Sequence, residues 1–193
     1  MTKKHTTEKP EDRRVQKTKK LLSDALVSLI VKKGYPNVSI KDIIDTANVG
    51  RSTFYSHFEN KEQLLLSGHV TFKTLLGNTI PRRKKKPQSA DLNFLYLYQH
   101  VQEQRPLANA LIGKQGGEIV ADHLHSIIAQ RIEEYYGAGI PRGKELGMFR
   151  FTVHAAATAM VQLIVQWVTH GMTFTPEEMT EKSESLLRNM MGN

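Results

Sequence analysis

Apolar residues recur at helical spacing through most of the chain, and the breaks between the runs divide it into segments. From about Glu11 to Lys33, the residues Leu22, Leu26, Leu29 and Ile30 mark one face of a helix, and Gly34 stands where a left-handed residue would end it. Ser39 with Asp42 is a capping-box-like start for a helix over 40–46. Ala47-Asn48-Val49-Gly50 then forms a turn, and residues 51–58 form the next helix. Asn60 with Gln63 caps a fourth, predicted to run to about Thr79. The stretch Pro81 to Pro87, with five basic residues between its prolines, reads as a solvated linker. Residues 89–104 are predicted helical, with Leu92, Leu95, Tyr96 and Gln99 on one face. A short helix follows over 106–112, then a longer one over 116–136 whose apolar side is Ile119, Leu124, Ile127, Ile128 and Ile132. After a glycine-rich loop, residues 144–170 form a long helix that is apolar nearly all round in its second half. Such a helix has to be covered, by its own body or by another subunit. Thr175-Pro176-Glu177-Glu178 is an N-cap signal for a last helix. Residues 93–101 also alternate like a strand, but their neighbours are helical; no convincing strand and no repeat is visible, so the expected class is all-α. Residues 1–10 read as a disordered arm, 11–62 as a three-helix domain with a helix-turn-helix, and 63–193 as a helical body.

Charge sharpens this division. The net charge is +8, and residues 1–62 hold 13 Lys/Arg against 8 Asp/Glu, a net of +5. The body is near neutral, because five of its basic residues are the run Arg82 to Lys86. A basic head on a neutral body suggests a polyanion partner. The sequence has no cysteine, which fits a reducing cytoplasm. The N-terminus lacks a signal-peptide core. The apolar stretch from Val153 to Val168 is short of the roughly 20 residues a bilayer needs. The expectation is therefore a cytoplasmic protein with no membrane partner.

Two steeply crossing helices need a small residue and a left-handed position at their turn. Ala47 is small, and Asn48 is the kind of non-glycine residue that tolerates positive φ. Ile40, Ile43, Ile44, Phe54 and Phe58 supply a shared core with Leu26 and Ile30. Arg51, Ser52, Thr53, Tyr55, Ser56 and His57 are left exposed, a set of hydroxyls, a guanidinium and amphipathic rings suited to phosphates and base edges. In this register the chain resembles the DNA-binding domain of TetR-type transcriptional repressors. The residues that carry the resemblance are Ser39, Ala47-Asn48-Val49-Gly50, Tyr55, His57, Phe58, Lys61, Glu62 and Leu64. It departs from the family pattern at Asn48, where Gly is usual, and at Gly50, where a capping Ser is usual. The resemblance implies that Ser39, Tyr55, His57 and Lys61 bind phosphates of double-stranded DNA and that Arg51, Ser52 and Thr53 face bases. It also implies a homodimer on a palindromic operator and release by a small-molecule effector of unknown identity. Activation in place of repression is left open.

In the body, polar and aromatic residues interrupt the apolar helices. Tyr96, His100, His123, Phe149, His154, Gln162, Gln166 and Trp167 are candidates to line an effector pocket, each with an ordinary packing role as the alternative. Val161, Ile164, Val165 and Val168, with Met179, Leu186, Leu187 and Met190 of the last helix, are candidates for a symmetric dimer contact. His123 and His125 are two apart and point away from each other on a helix, so no metal site is expected, and no cofactor. The chain shows no phosphate loop, no zinc-binding HExxH and no nucleophile motif, which argues against an enzyme. A protein that coats DNA without reading its sequence is the remaining alternative.

Overall fold

Leu22, Leu26 and Ile30, four residues apart, put one fully buried stripe along the first helix, α1 (Arg13–Lys33). Gly34 ends it with φ 79, and its N–H donates to the Ile30 carbonyl at 2.8 Å. The computed structural model describes residues 13–67, 92–112, 115–137 and 139–192. The N-terminal arm, the expected end of the fourth helix near Thr79 and the linker 81–87 lie outside those residues. After a single 3-10 turn (Tyr35–Asn37) come α2 (Ile40–Ala47), α3 (Arg51–Tyr55) and α4 (Lys61–Ser67). The body follows as α5 (Phe94–Glu103), α6 (Arg105–Leu111), α7 (Gln115–Tyr136), α8 (Lys144–Thr169) and α9 (Pro176–Met191).

The described residues bury two apolar cores. The head core gathers Leu22, Leu26 and Ile30 with Ile43, Phe54, Phe58, Leu64 and Leu65. Leu107 and Leu111 of α6 also belong to it, so a short helix of the body completes the head. The body core joins α5, α7, α8 and α9 around Ile128, Ile132, Ala156, Ala157 and Met160, all fully buried. Each large side chain taken fully out of water contributes about 1.5–3 kcal/mol. Tyr98 and Trp167 are large core side chains here that carry a polar group. Ser183 Oγ donates to the Met179 carbonyl at 2.8 Å, so the Tyr98 hydroxyl, 2.7 Å away, donates to Ser183. Trp167 packs edge-on against the Tyr98 ring, and its Nε1 donates to the Phe174 carbonyl at 2.9 Å.

The structure corrects the expected face of α5. Asn93 caps the helix by accepting from the Tyr96 N–H, and the buried side is Phe94, Leu97, Tyr98 and Val101. Tyr96 and Gln99 point outward. The larger aromatic pair wins the interior because the Tyr98 hydroxyl finds Ser183 there. The last helix starts as expected, with Thr175 and Glu178 bonded reciprocally in a capping box and Pro176 in the first turn. Taken with its flanks, α8 reaches 26 residues, long and apolar enough to cross a membrane by length and composition. The shorter apolar stretch on which the opposite expectation rested is only its middle.

Candidate DNA-binding surface and effector cavity

The helix-turn-helix is built by three local devices. Ser39 and Asp42 form a capping box, in which the Asp42 N–H donates to Ser39 Oγ at 3.1 Å and the Ser39 N–H to Asp42 Oδ2 at 2.8 Å. The Ser39 hydroxyl donates to the same carboxylate, and Lys33 pairs with it at 2.9 Å. These hydrogen bonds from Ser39, and then the Lys33 ammonium, hold the Asp42 carboxyl well below the usual carboxylate range. At the turn, Asn48 adopts the left-handed conformation (φ 51, ψ 49), and the Val49 N–H closes on the Ile44 carbonyl. Gly50 caps α3 through its backbone alone, without a side-chain bond. Although α3 as a regular helix ends at Tyr55, the Phe58 N–H still donates to the Phe54 carbonyl at 2.9 Å. Phe54 and Phe58 are buried beneath, and this fixes what faces out.

Facing out are Arg51, Ser52, Tyr55 and Ser56, with Thr53 and His57 half-buried beside them. Tyr55 is 47% exposed although its ring packs edge-on against Phe54. The Arg51 guanidinium sits 5.7 Å from the centre of the Tyr55 ring, so the pair presents one flat, cationic, hydrogen-bonding unit. Among the expected contact residues, Lys61 is placed differently. Its ammonium is partly buried and donates to the carbonyls of Tyr35 (3.1 Å) and Val38 (2.9 Å), over the Tyr35 ring. Burial pushes its pKa down. Lys61 thus ties α4 to the turn before the capping box, and one of its three N–H groups at most is left for another partner.

The body holds a cavity of about 100 Å³ between α5, α6, α7 and α8. Val101, Leu107, Leu111, Leu124, Val161, Ile164 and Val168 are among its walls. Among the described residues, His100 and Gln104 are its polar side chains. Burial pushes the His100 imidazole below its ordinary pKa, against the opposing pull of Glu103. Of the residues expected to line an effector pocket, His100 alone borders this cavity. Gln162, Gln166, Tyr96 and His154 turn outward, and Trp167 is buried in the core against Tyr98. His123 and Phe149 are half-buried away from it, Phe149 near Gly137. The other polar residues expected to mark a pocket do not border this cavity, and the reason is physical. Polar side chains on these helices find solvent or backbone partners at the surface, and the space left inside is apolar. His125 illustrates this, stacked on His154 with Nε2 3.3 Å from the His154 carbonyl. Among the described residues no His, Asp or Glu cluster suits a metal.

The expected dimer residues are likewise redistributed. Val161, Ile164, Val168, Met179 and Leu187 are buried inside the chain, while Val165, Leu186 and Met190 are half-buried. The five buried ones are already covered and offer nothing to a partner. The outward side of α8 instead carries Met148, Phe151, Ala155, Thr158 and Gln162, with Phe151 76% exposed.

What the sequence did not reveal is how head and body meet. The start of α7 lies against the turn that Lys61 holds. A Cβ on Gly116 would come within 2.9 Å of Tyr35 and 2.7 Å of Leu111, and one on Gly117 would collide with the Leu111 carbonyl. Leu107 and Leu111 therefore touch the head core on one side and the cavity on the other. Their i, i+4 spacing was a visible signal, but their partner was not.

Comparison with known proteins agrees with this architecture. A family model described as bacterial regulatory proteins, tetR family, matches residues 22–67, and one described as transcriptional regulator C-terminal region matches 88–189. The chain is 40% identical over 48 residues to DhaS, an HTH-type dhaKLM operon transcriptional activator of Lactococcus lactis, covering 25% of this chain and 26% of that one. The curated relatives it matches are covered over only 16–37% of their own length. A TetR transcriptional regulator from Streptococcus agalactiae shares the fold with a TM-score of 0.59 at 24% identity, over 91% of this chain and 96% of that one. NalD of Pseudomonas aeruginosa, a secondary repressor of the MexAB-OprM multidrug efflux pump, has a TM-score of 0.59 at 18% identity, over 92% and 96% of the two chains.

Proposed function

The chain belongs to the TetR family of bacterial regulatory proteins, and on that footing we propose a dimeric repressor that reads an operator and is released by a small molecule. The observation that carries this reading is the dual position of α6. Leu107 and Leu111 line the cavity and also complete the head core. A guest that displaces α6 changes the seating of α1 and of the Tyr35 turn, and with them the aim of α3. A ligand with higher affinity for the displaced arrangement depopulates the DNA-binding one by that difference in affinity. Repression is preferred to activation because a guest in this cavity intrudes on a head core that is already packed. An activator would need the guest to tighten it.

On the DNA side, Arg51, Ser52 and Thr53 would meet base edges, and Ser39, Tyr55 and His57 would meet phosphates. Ser39 has to give up its hydroxyl bond to Asp42 in order to donate to phosphate. Lys61 acts first as a clamp on the Tyr35–Val38 turn.

The second copy would dock on the outer face of α8. Within one chain that face stays uncovered, with Met148 60% and Phe151 76% exposed, and no charged side chain occurs from Phe151 to His170. Met148, Phe151, Ala155, Thr158 and Gln162 follow the alternating three- and four-residue spacing of a helix-packing seam. The polar groups along it, His154, Gln162 and Gln166, favour a protein partner over lipid. A dimer also doubles the reading surface at spacings set by the DNA turn.

The test is fluorescence anisotropy with a duplex from upstream of the gene and a scrambled duplex of equal length. Wild type should prefer the upstream duplex, and Tyr55→Ala should lose at least tenfold in affinity while its melting temperature stays within about 2 °C. Equal binding of both proteins to both duplexes would count against the reading.

A further inference from the structure

The chemistry of the cavity wall says what kind of guest it admits. The cavity lies among α5, α6, α7 and α8, and among the described residues no Lys, Arg, Asp or Glu side chain borders it. Its polar side chains, His100 and Gln104, are four residues apart on one edge, at the end of α5. The remainder is aliphatic, with Leu124, Val161 and Ile164 on the far walls and Ala108 and Ala121 giving the space its width. Its volume of about 100 Å³ is of the order of a closed apolar cavity of about 150 Å³ that admits a benzene ring.

Resting on the ligand-released reading above, we propose that this cavity selects an uncharged, ring-sized, largely apolar molecule with one hydrogen-bonding group, and rejects organic anions and cations of the same size. The polar group of the guest points to the His100–Gln104 edge, where the exposed Gln104 amide carries both donors and an acceptor. Burial, which keeps His100 below its ordinary pKa, keeps that edge uncharged at neutral pH. A guest carboxylate or ammonium would lose its water with no opposite charge on the described wall residues to replace it, and so large a desolvation penalty is what makes the selection steep. An apolar ring gives up no hydrogen bonds on entry and gains contact with the aliphatic walls.

Four probes of one size separate the possibilities: toluene, benzyl alcohol, benzoate and benzylamine. Each is titrated into the full-length protein at neutral pH, with affinity read from calorimetry and from the rise in melting temperature that a guest confers. The expected result is binding of toluene and benzyl alcohol, with benzyl alcohol the tighter, and at least about 30-fold weaker binding of benzoate and benzylamine. Ala121→Leu, which fills the space, should abolish binding while retaining helicity. Ala108→Leu serves the same purpose where Ala121→Leu does not fold. If benzoate or benzylamine binds within threefold of benzyl alcohol, and the filled variant removes that binding, the neutral-guest proposal fails while the cavity remains an effector site. If none of the four binds, both the proposal and the cavity's role as effector site fail. Operator binding is measured without any guest, so that part of the functional reading is judged separately.

Discussion

Replacing Lys61 by Met keeps an unbranched apolar stem of four heavy atoms and deletes the ammonium. Two charge-assisted hydrogen bonds disappear, to the carbonyls of Tyr35 at 3.1 Å and Val38 at 2.9 Å, together with the contact over the Tyr35 ring at 4.4 Å. A hydrogen bond to a charged group contributes about 1.5–3 kcal/mol. Discounting two of them by about half for solvent screening at a part-exposed site leaves about 2 kcal/mol. For a chain of this length that is a fall of about 4–8 °C in melting temperature, read by far-ultraviolet circular dichroism. A phosphate ligand behaves differently. Its loss lowers the slope of log affinity against log salt by about 0.9 and leaves the free protein's stability alone. The clamp reading predicts a lower melting temperature, with the salt slope, measured where the variant is folded, unchanged. An unaltered melting temperature with a slope reduced by about 0.9 would refute it and return Lys61 to the phosphate role that the family resemblance implies.

Three further outcomes follow from the packing. Ser183→Ala leaves the buried Tyr98 hydroxyl without its acceptor and should cost about 1–3 kcal/mol in urea unfolding; adding Tyr98→Phe should recover part of the loss, and an unchanged midpoint in the single variant would contradict the assigned bond. Gly117→Ala drives a methyl group into the Leu111 carbonyl, so it should lower both stability and DNA affinity, whereas an unaffected operator affinity would argue against the coupling through α6. Because the folded pKa of His100 is below its ordinary value of 6.5, the unfolded chain binds more protons in that interval, and stability should fall as pH drops through about 6.5. His100→Gln should flatten that fall in pH-dependent melts, and an unchanged profile would remove His100 as its source.

The reading head is legible in the sequence because its devices are local. Ser39 with Asp42, Asn48 at the turn and Asn60 with Gln63 each act within four residues, and each is present as a hydrogen bond or a backbone angle. Thr175 with Glu178 is legible in the same way. The choice of face is not. On α8 the apolar residues run nearly all round, so composition alone does not say whether Phe151 or Met160 is inside. The small residues Ala156 and Ala157 let neighbouring helices approach that side, and Phe151 is left at the surface. The α5 face is hidden for a related reason, since the acceptor for Tyr98 lies 85 residues away on Ser183. Polar interruptions do not mark the cavity, because it is a gap among aliphatic side chains that no local pattern announces. The clamp by Lys61 is hidden too, because a lysine next to a DNA-binding helix suggests phosphate before it suggests two carbonyls.

The central claim is that α3, carried in two copies, reads a defined DNA sequence. Selection of bound duplexes from a fully random pool, followed by sequencing, tests it with no target chosen in advance. The expected result is enrichment of an inverted repeat whose half-sites are spaced by a whole number of helical turns, with enrichment collapsing for Arg51→Ala at the bases it reads. A pool that stays random, with wild type and Arg51→Ala retaining the same duplexes, would contradict the claim and leave a protein that binds DNA by charge alone.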